Sequence, residues 1–290
     1  MTLRPGIQTG GSELPTGAFR HNSIPPMGDA ARNSTGTTVP SRLGPPAAWI
    51  LGDAVIVTST IRCSGEGDPM TTENANLTDV RDMYSVHEGF RRGLRDAPGQ
   101  LAGTRDGDAE RASRLADYLD ELLWLLHAHH GSEDELLYPL LCERAPEHRE
   151  LLSRMDAQHV AVASSIEAAQ HAVKRFGETG SAADGRALAE ACASLLEILD
   201  VHLNQEEVEV LPIAARVVSP TEWGALPGHA LSQYPGTRVW LPFGLAIEAM
   251  PADLLEAMRA ELPPPVSDMW FGGGSDAFLS EMAVIRGTTA

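Results

Sequence analysis

The sequence predicts an all-α protein, in which an up-down-up-down four-helix bundle follows a disordered tail and precedes extra C-terminal helices. Three observations support this fold class. Between residues 78 and 216, apolar side chains recur at spacings of three and four in four long segments, as on one face of an α-helix. Segments rich in turn-forming residues separate these patterns. The first 69 residues contain eight prolines and ten glycines and show no such periodicity.

Residues 1–70 are predicted to be a disordered N-terminal extension. Proline and glycine together make up about a quarter of this segment, without a regular period. Such a composition is typical of chains that cannot bury enough apolar surface to form a packed core.

The four helices of the bundle are predicted over residues 71–218. The first begins after Thr78, a plausible N-cap, and ends where the segment RDAPGQLAGTRDGD interrupts the periodicity. The second stops around CERAPEHRE, the third ends at FGETGSAADG, and the fourth ends near VVSPTEW. Because the connections are short or moderate in length, an antiparallel bundle is the simplest arrangement that buries all four apolar faces.

Residues 219–290 are predicted to form a C-terminal helical extension. Three shorter helical patterns occur there: TRVWLPFGLAIEAM, PADLLEAMRAEL and SDAFLSEMAVIRG. We expect these helices to pack on the bundle or on a partner protein. Their sequence contains no motif that indicates a particular chemistry.

Charge and composition exclude several classes of partner. The net charge of −18 argues against nucleic acid and anionic membrane surfaces. No apolar run approaches the roughly 18 residues that a membrane span requires. The N-terminus has no basic segment followed by an apolar run, and the three cysteines show no motif spacing. We therefore expect a cytoplasmic protein.

Six ionisable side chains occupy seam positions where a bundle would normally place leucine: His87, His129, Glu133, His159, His202 and Glu206. Two pairs share the spacing H-x-x-x-E, which puts both side chains on one helix face, about 40° apart. The order H…HxxxE…H…HxxxE repeats after 72–73 residues. In both pairs, an acidic residue follows the histidine at +5 and a proline follows it at +10.

These six residues together predict a metal site. Two buried carboxylates without partners would cost several kcal/mol each, and four imidazoles would also need hydrogen bonds. Metal ions remove this penalty, because carboxylate and neutral imidazole are both good ligands. A single seam histidine is more often a core residue than a ligand, and a single H-x-x-x-E is commonly surface. The coincidence of all six in one register favours metal binding, and iron, manganese and zinc all suit these ligands.

One ligand assignment is ambiguous, because His129 and His130 are adjacent. His130 could pair with Asp134 at +4, but the register shared with the second H-x-x-x-E pair favours His129. His130 lies about 100° away from that face. It is predicted to face water, as are Asp134 and Glu135, or to contact a neighbouring helix.

The blocks DMYSVHEGFRR, HHGSEDELLYP, MDAQH and HLNQEEVEVLP, in this order, resemble the hemerythrin-like family of HHE cation-binding domains. The resemblance covers about half of the chain. It implies a four-helix bundle with a non-haem di-iron centre, in which Glu133 and Glu206 bridge two iron ions. It also implies that the histidines complete the irons in pairs: His87 with His129, and His159 with His202.

The sequence departs from the oxygen-carrying members of this family at one position. Those proteins have a second histidine one turn after the first on the third helix, where this chain has Ala163. Each iron would then have two imidazoles and one open position. Two adjacent open positions suit a substrate that spans both irons, such as peroxide.

The resulting expectation is a di-iron protein that reacts with small oxidants, with peroxide decomposition as the favoured reaction. The alternative is a module that binds O2 or NO, or senses redox state, without turnover. In that case the C-terminal helices would relay the state of the centre to a partner. The sequence does not decide whether the chain is an enzyme.

Overall fold

The computed structural model describes residues 77–232 and 234–288, and all regular secondary structure in these residues is helical. The all-α fold class is therefore confirmed. The predicted disordered extension, residues 1–70, lies outside the described residues, and the proposed domain boundaries stay predictions. None of the helices in the described part of the chain is long and apolar enough to cross a membrane.

Four long helical segments form an antiparallel bundle, in which the first and third each pack against the second and fourth. Two of the four are interrupted by a π-helical turn. The segments are α1, Arg81–Ala102; α2, Ala109–Ser132, with the π turn Glu133–Leu137 and α3, Tyr138–Arg144; α4, Arg149–Thr179; and α5, Ala182–Gln205, with the π turn Glu206–Val210 and α6, Leu211–Val217.

Both π-helical turns occupy the same place in the sequence repeat, and each is followed by a proline. In the first, the N–H of Tyr138 donates to the carbonyl of Glu133, five residues back. The next residue, Pro139, has no N–H, and in a regular α-helix its ring would clash with the carbonyl four residues earlier. The wider turn makes room for that ring. The second half repeats the arrangement with Leu211, Glu206 and Pro212.

Thr78 is not the N-cap of α1, so that prediction is wrong. The helix begins at Arg81, and Val80 at the N-cap position makes no side-chain hydrogen bond. The Thr78 hydroxyl instead donates to the carbonyl of Val218 at 2.5 Å, and its N–H donates to the carbonyl of Ala215 at 2.9 Å. A residue that could have capped a helix locally therefore ties the start of the first long segment to the end of the fourth.

The first helix also ends later than predicted, because it continues past Pro98 to Ala102. A proline within a helix costs about 3 kcal/mol, since one hydrogen bond is lost and one carbonyl is displaced. Ala97 and Leu101 are buried in the core on either side of this proline. Their burial offsets the cost and holds the last turn in helical form.

Six shorter α-helices, with a π-helical turn at Trp270–Gly274 between the last two, follow the bundle in residues 220–232 and 234–288. Three of them coincide with the predicted segments, and the other three are too short for their periodicity to be recognised in sequence. The six are α7, Pro220–Trp223; α8, Ala225–Ser232; α9, Trp240–Glu248; α10, Ala252–Glu261; α11, Pro264–Met269; and α12, Ser275–Arg286.

The C-terminal helices share the hydrophobic core of the bundle, which is one of the two arrangements expected for them. Leu241 of α9 and Phe278 of α12 are buried in the same apolar cluster as the centres of the long helices. Arg238 joins these layers, because its Nε donates to Glu121 on α2 at 2.8 Å and its Nη1 donates to Glu281 on α12 at 3.0 Å.

Leu195→Ala should lower the free energy of unfolding by about 2–5 kcal/mol, because this side chain is fully buried in the bundle core. Ile198 lies on the same helix but is 40% exposed. Ile198→Ala should therefore cost less than about 1 kcal/mol. Urea unfolding followed by circular dichroism measures both values. Equal losses of unfolding free energy in the two variants would contradict the structure, in which α5 buries Leu195 and exposes Ile198.

Candidate metal centre

The structure brings all six predicted side chains together inside the bundle, and each is more than nine-tenths buried. They come from all four long segments, and each glutamate is the first residue of a π-helical turn. The six are His87 on α1, His129 on α2, Glu133 in the first π turn, His159 on α4, His202 on α5 and Glu206 in the second π turn.

Each glutamate lies between two imidazoles that belong to different helices. Glu133 Oε1 is 3.2 Å from His129 Nε2, and Glu133 Oε2 is 3.6 Å from His159 Nε2. The Oε2 atom of Glu206 lies 3.6 Å from the Nε2 atoms of two other histidines, His87 and His202.

Most of these facing atoms have no hydrogen-bond partner among the described residues. The unpaired atoms include both carboxylate oxygens of Glu133 and of Glu206, and the Nε2 atoms of His87, His129 and His202. A buried polar atom left unpaired costs about 1–3 kcal/mol, so a cluster of them is rarely retained without a use. Imidazole nitrogens and carboxylate oxygens directed at one space are the ligand set of a divalent or trivalent metal ion.

The protonation of the cluster responds to its burial. Burial raises the pKa of Glu133 well above its usual range, and the nearby carboxylate of Glu206 raises it further. Burial lowers the pKa of His202 to about 2 and lowers the pKa of His129 well below its usual value. All three shifts favour the neutral form. Neutral imidazole is the form that binds metal, and a bound cation would favour the ionised carboxylate over the protonated one.

Two acidic side chains outside the cluster orient two of its histidines. Asp134 Oδ1 lies 2.7 Å from His159 Nδ1, and Glu207 Oε1 lies 2.8 Å from His87 Nδ1. A carboxylate that accepts the Nδ1 proton leaves Nε2 of the same ring as the lone-pair atom, and Nε2 faces the cluster. Arg91 Nη1 holds Glu207 in turn, by donating to it at 2.6 Å.

The sequence repeat marks both of these acids, although the sequence alone did not indicate that they contact the histidines. Asp134 was predicted to face water, and that prediction is wrong; the prediction that Glu135 faces water is correct. Both orienting acids stand at +5 from the histidine of an H-x-x-x-E pair. On a regular helix this position turns away from the pair. It nevertheless points at the neighbouring helix, where the single histidine of the other half lies.

His130 lies inside the cluster, so the prediction that it faces water is wrong and the alternative, contact with a neighbouring helix, is correct. Its ring centroid is 4.6 Å from that of His159 and 4.9 Å from that of His202, and its Nε2 has no partner among the described residues. His129 faces α1 instead, with its ring 5.2 Å from His87. Successive helical residues diverge by about 100°, and a buried stripe of that width takes in both side chains.

The ligand-type atoms form two groups that share Glu133, and within each group all of these atoms lie within 4.8 Å of one another. One group contains His87, His129 and Glu133, and the other contains His130, Glu133, His159 and His202. Glu133 is therefore the residue that the two groups have in common, and Glu206 belongs to neither.

Tyr138 is a further residue at the centre that the sequence did not single out. Its ring stacks on His159 with an angle of 13° between the planes, and its hydroxyl lies 3.4 Å from the Nε2 atom of that histidine. Burial raises the pKa of Tyr138 well above its usual value, so the hydroxyl keeps its proton. The corresponding position in the other half of the repeat is Leu211, so the repeat carried no signal for it.

In protein stripped of metal by a chelator, Glu133→Gln should raise the free energy of unfolding at pH 8 by about 1–4 kcal/mol. The raised pKa of Glu133 means that folding takes up a proton above pH 4.5, the ordinary value for glutamate, and stability falls as pH rises. Glutamine is neutral in the folded and the unfolded state, so the gain in unfolding free energy from Glu133→Gln should become smaller towards pH 5. Urea unfolding at several pH values measures this difference.

The matched control for that series is Glu209→Gln, which lies in the second π turn with its side chain 45% exposed. It should show no comparable gain at pH 8. A gain that is absent for Glu133→Gln, or equally large for both variants, would contradict the burial of an unpaired carboxyl group at the centre.

The comparisons with known proteins agree with this geometry. Residues 78–214 match the family model of the hemerythrin HHE cation-binding domain, which confirms the resemblance found in the sequence. Neither the curated proteins nor the solved structures contain a match to the chain. The matched range contains every residue of the two ligand groups. The match and the buried histidine and glutamate cluster indicate that residues 78–214 form a metal-binding module similar to the hemerythrin HHE cation-binding domain.

Proposed function

We propose that this chain is a non-haem di-iron protein whose buried centre reversibly binds a small oxidant, O2 or NO. The observation that carries the proposal is the convergence of unpaired imidazole nitrogens and carboxylate oxygens in two groups joined by Glu133. The family suggests iron, and the ligand types are compatible with it. Iron at such a site supplies ligand binding and redox chemistry, while the protein supplies geometry and a dry pocket.

The proposed ligands divide unequally between the two metals. Glu133 and Glu206 serve both, because each carboxylate lies between imidazoles of both halves. The histidines follow the two groups of neighbouring atoms: His87 and His129 for the first metal, and His130, His159 and His202 for the second. In this assignment His130 supplies the third imidazole that the sequence lacks at Ala163.

This inequality favours reversible binding over turnover. A metal held by three imidazoles and two carboxylates would have little room for an exogenous ligand, so the exchangeable position would belong to the metal held by His87 and His129. The earlier preference for peroxide decomposition assumed one open position on each metal. That assumption required His130 to lie outside the cluster, and its ring lies among those of His159 and His202. Peroxide decomposition is therefore the second candidate.

The surrounding side chains have defined roles in this proposal. Asp134 and Glu207 hold the Nδ1 protons of His159 and His87, which directs the Nε2 lone pairs towards the centre. The Tyr138 hydroxyl, next to His159, is positioned to donate a hydrogen bond within the centre. The C-terminal helices α8 and α9 cover the bundle beside His129 and help to exclude water.

The purified full-length chain should contain about two iron ions per molecule, as expected for a two-metal carboxylate site. A Glu133→Ala, Glu206→Ala double variant should lose them, because both carboxylates that are proposed to hold the metals are then gone. His127→Ala is the control, since this histidine belongs to neither group. Metal analysis by mass spectrometry measures the content. Zinc in place of iron, or no metal in any variant, would overturn the proposal.

The iron-loaded protein then separates the two candidate functions. Reversible spectral changes with O2 or NO, and no oxygen evolution from peroxide above an iron-free control, would support the binding proposal. Sustained oxygen evolution that depends on the bound iron would instead establish peroxide decomposition.

His130→Ala should lower the average number of imidazoles per iron measured by X-ray absorption spectroscopy. It should also weaken retention of one of the two irons by at least about tenfold. The reason is that this ring lies with His159 and His202 in the second ligand group. His127→Ala again serves as the control, three residues earlier on the same helix. An unchanged imidazole count in His130→Ala would show that His130 is a buried neighbour and no ligand.

A further inference from the structure

An apolar chamber of about 160 Å³ lies between the bundle and the C-terminal helices. Its walls come from α1, α2, α7, α8 and α9, so the C-terminal extension supplies one side of a pocket that stays partly open to solvent. The lining is mainly aliphatic and aromatic, and it includes Val86, Phe90, Leu125, Leu231 and Phe243. His129 forms part of the same wall.

Apart from His129, whose unpaired Nε2 lies beside Glu133 of the metal centre, the polar side chains in the wall are hydrogen-bonded, so the chamber offers little to a polar or charged molecule. The indole N–H of Trp223 donates to Asp82 at 3.0 Å, and the Ser132 hydroxyl donates to the carbonyl of His129 at 2.8 Å. The described residues that line the chamber include no lysine or arginine. A charged or strongly hydrated molecule would lose its water without replacement, whereas an apolar molecule gains by leaving water.

The chamber adjoins one specific half of the metal centre. The ring of Phe90 packs against the His129 imidazole with a centroid distance of 5.3 Å, and both rings line the chamber. His130 faces away from it, towards His159 and His202. The chamber therefore meets the metal group that contains His87 and His129, to which the proposed function assigns the exchangeable position.

We propose that this chamber takes up a small uncharged apolar molecule and holds it beside the His129 side of the metal centre. A closed engineered cavity of about 150 Å³ binds benzene or xenon. The chamber has a similar volume but is open on one side, so molecules from a diatomic gas up to the size of benzene fit and can enter from solvent. The significance of the site rests on the proposed function, because a gas held here lies beside the metal with the exchangeable position. Uptake itself requires no metal.

Xenon and benzene are the probes for this proposal, and the full-length chain is the sample. Xenon nuclear magnetic resonance and benzene-induced thermal stabilisation should both show saturable binding. Ala230→Leu fills the chamber from α8 and should weaken the binding of both probes at least tenfold. Ala225→Leu makes the same substitution on an exposed position of the same helix and should leave binding unchanged. Ala246→Leu, from α9, is the second filling variant in case the first does not fold.

The rate of NO binding and the binding of benzene together distinguish a dissolved gas from an organic molecule as the natural ligand. If NO binds the iron-loaded filling variant several-fold more slowly at unchanged iron content, the natural ligand is a dissolved gas. Benzene binding without any change in the NO rate indicates an organic ligand of the same chemistry. Absence of saturable binding of both probes, or binding that neither filling variant weakens, would overturn the proposal. Iron content near two per chain in that case would leave the proposed function intact.

Discussion

The burial of two glutamates in the seam of a helical bundle is the constraint on which the rest of this structure depends. Glu133 and Glu206 are fully buried, their oxygens have no hydrogen-bond partners among the described residues, and imidazole nitrogens lie 3.2–3.6 Å from them. Without a cation, burial and the nearby carboxylate of Glu206 raise the pKa of Glu133, which favours its neutral form at a cost to stability. With one, the same groups become anionic ligands. Metal binding would therefore remove this cost and stabilise the folded state.

The backbone accommodates this constraint by the same device in both halves of the bundle. A proline stands six residues after each buried glutamate, and a π-helical turn begins at the glutamate itself. Such turns are uncommon and occur frequently at functional sites. Here they place a carboxylate at the start of a widened turn and an orienting acid directly after it. Local backbone geometry and ligand placement therefore have one origin, which is the spacing of glutamate and proline.

Much of the fold and the core of the site could be predicted from sequence, because both depend on periodicity. His87, His129, His159 and His202 were recognised since they share a helical face with leucines, and their burial follows from that face. Asp134 and His130 were not, because an ideal rotation of 100° per residue turns them off the face of the pair. Their surroundings depend on the neighbouring helices, which no single-helix pattern describes. The same applies to Thr78, whose hydroxyl bonds a residue 140 positions away.

The orienting acids cross between the two halves of the repeat. Asp134 belongs to the first helix pair but holds His159 of the second, and Glu207 belongs to the second but holds His87 of the first. Neither helical hairpin, α1 with α2 or α4 with α5, contains both its single histidine and the acid that orients it. The centre is therefore reciprocal. Each hairpin supplies the acid that orients a histidine of the other, as two identical hairpins would in a symmetric dimer. Here both hairpins belong to one chain, so the exchange takes place within a single molecule.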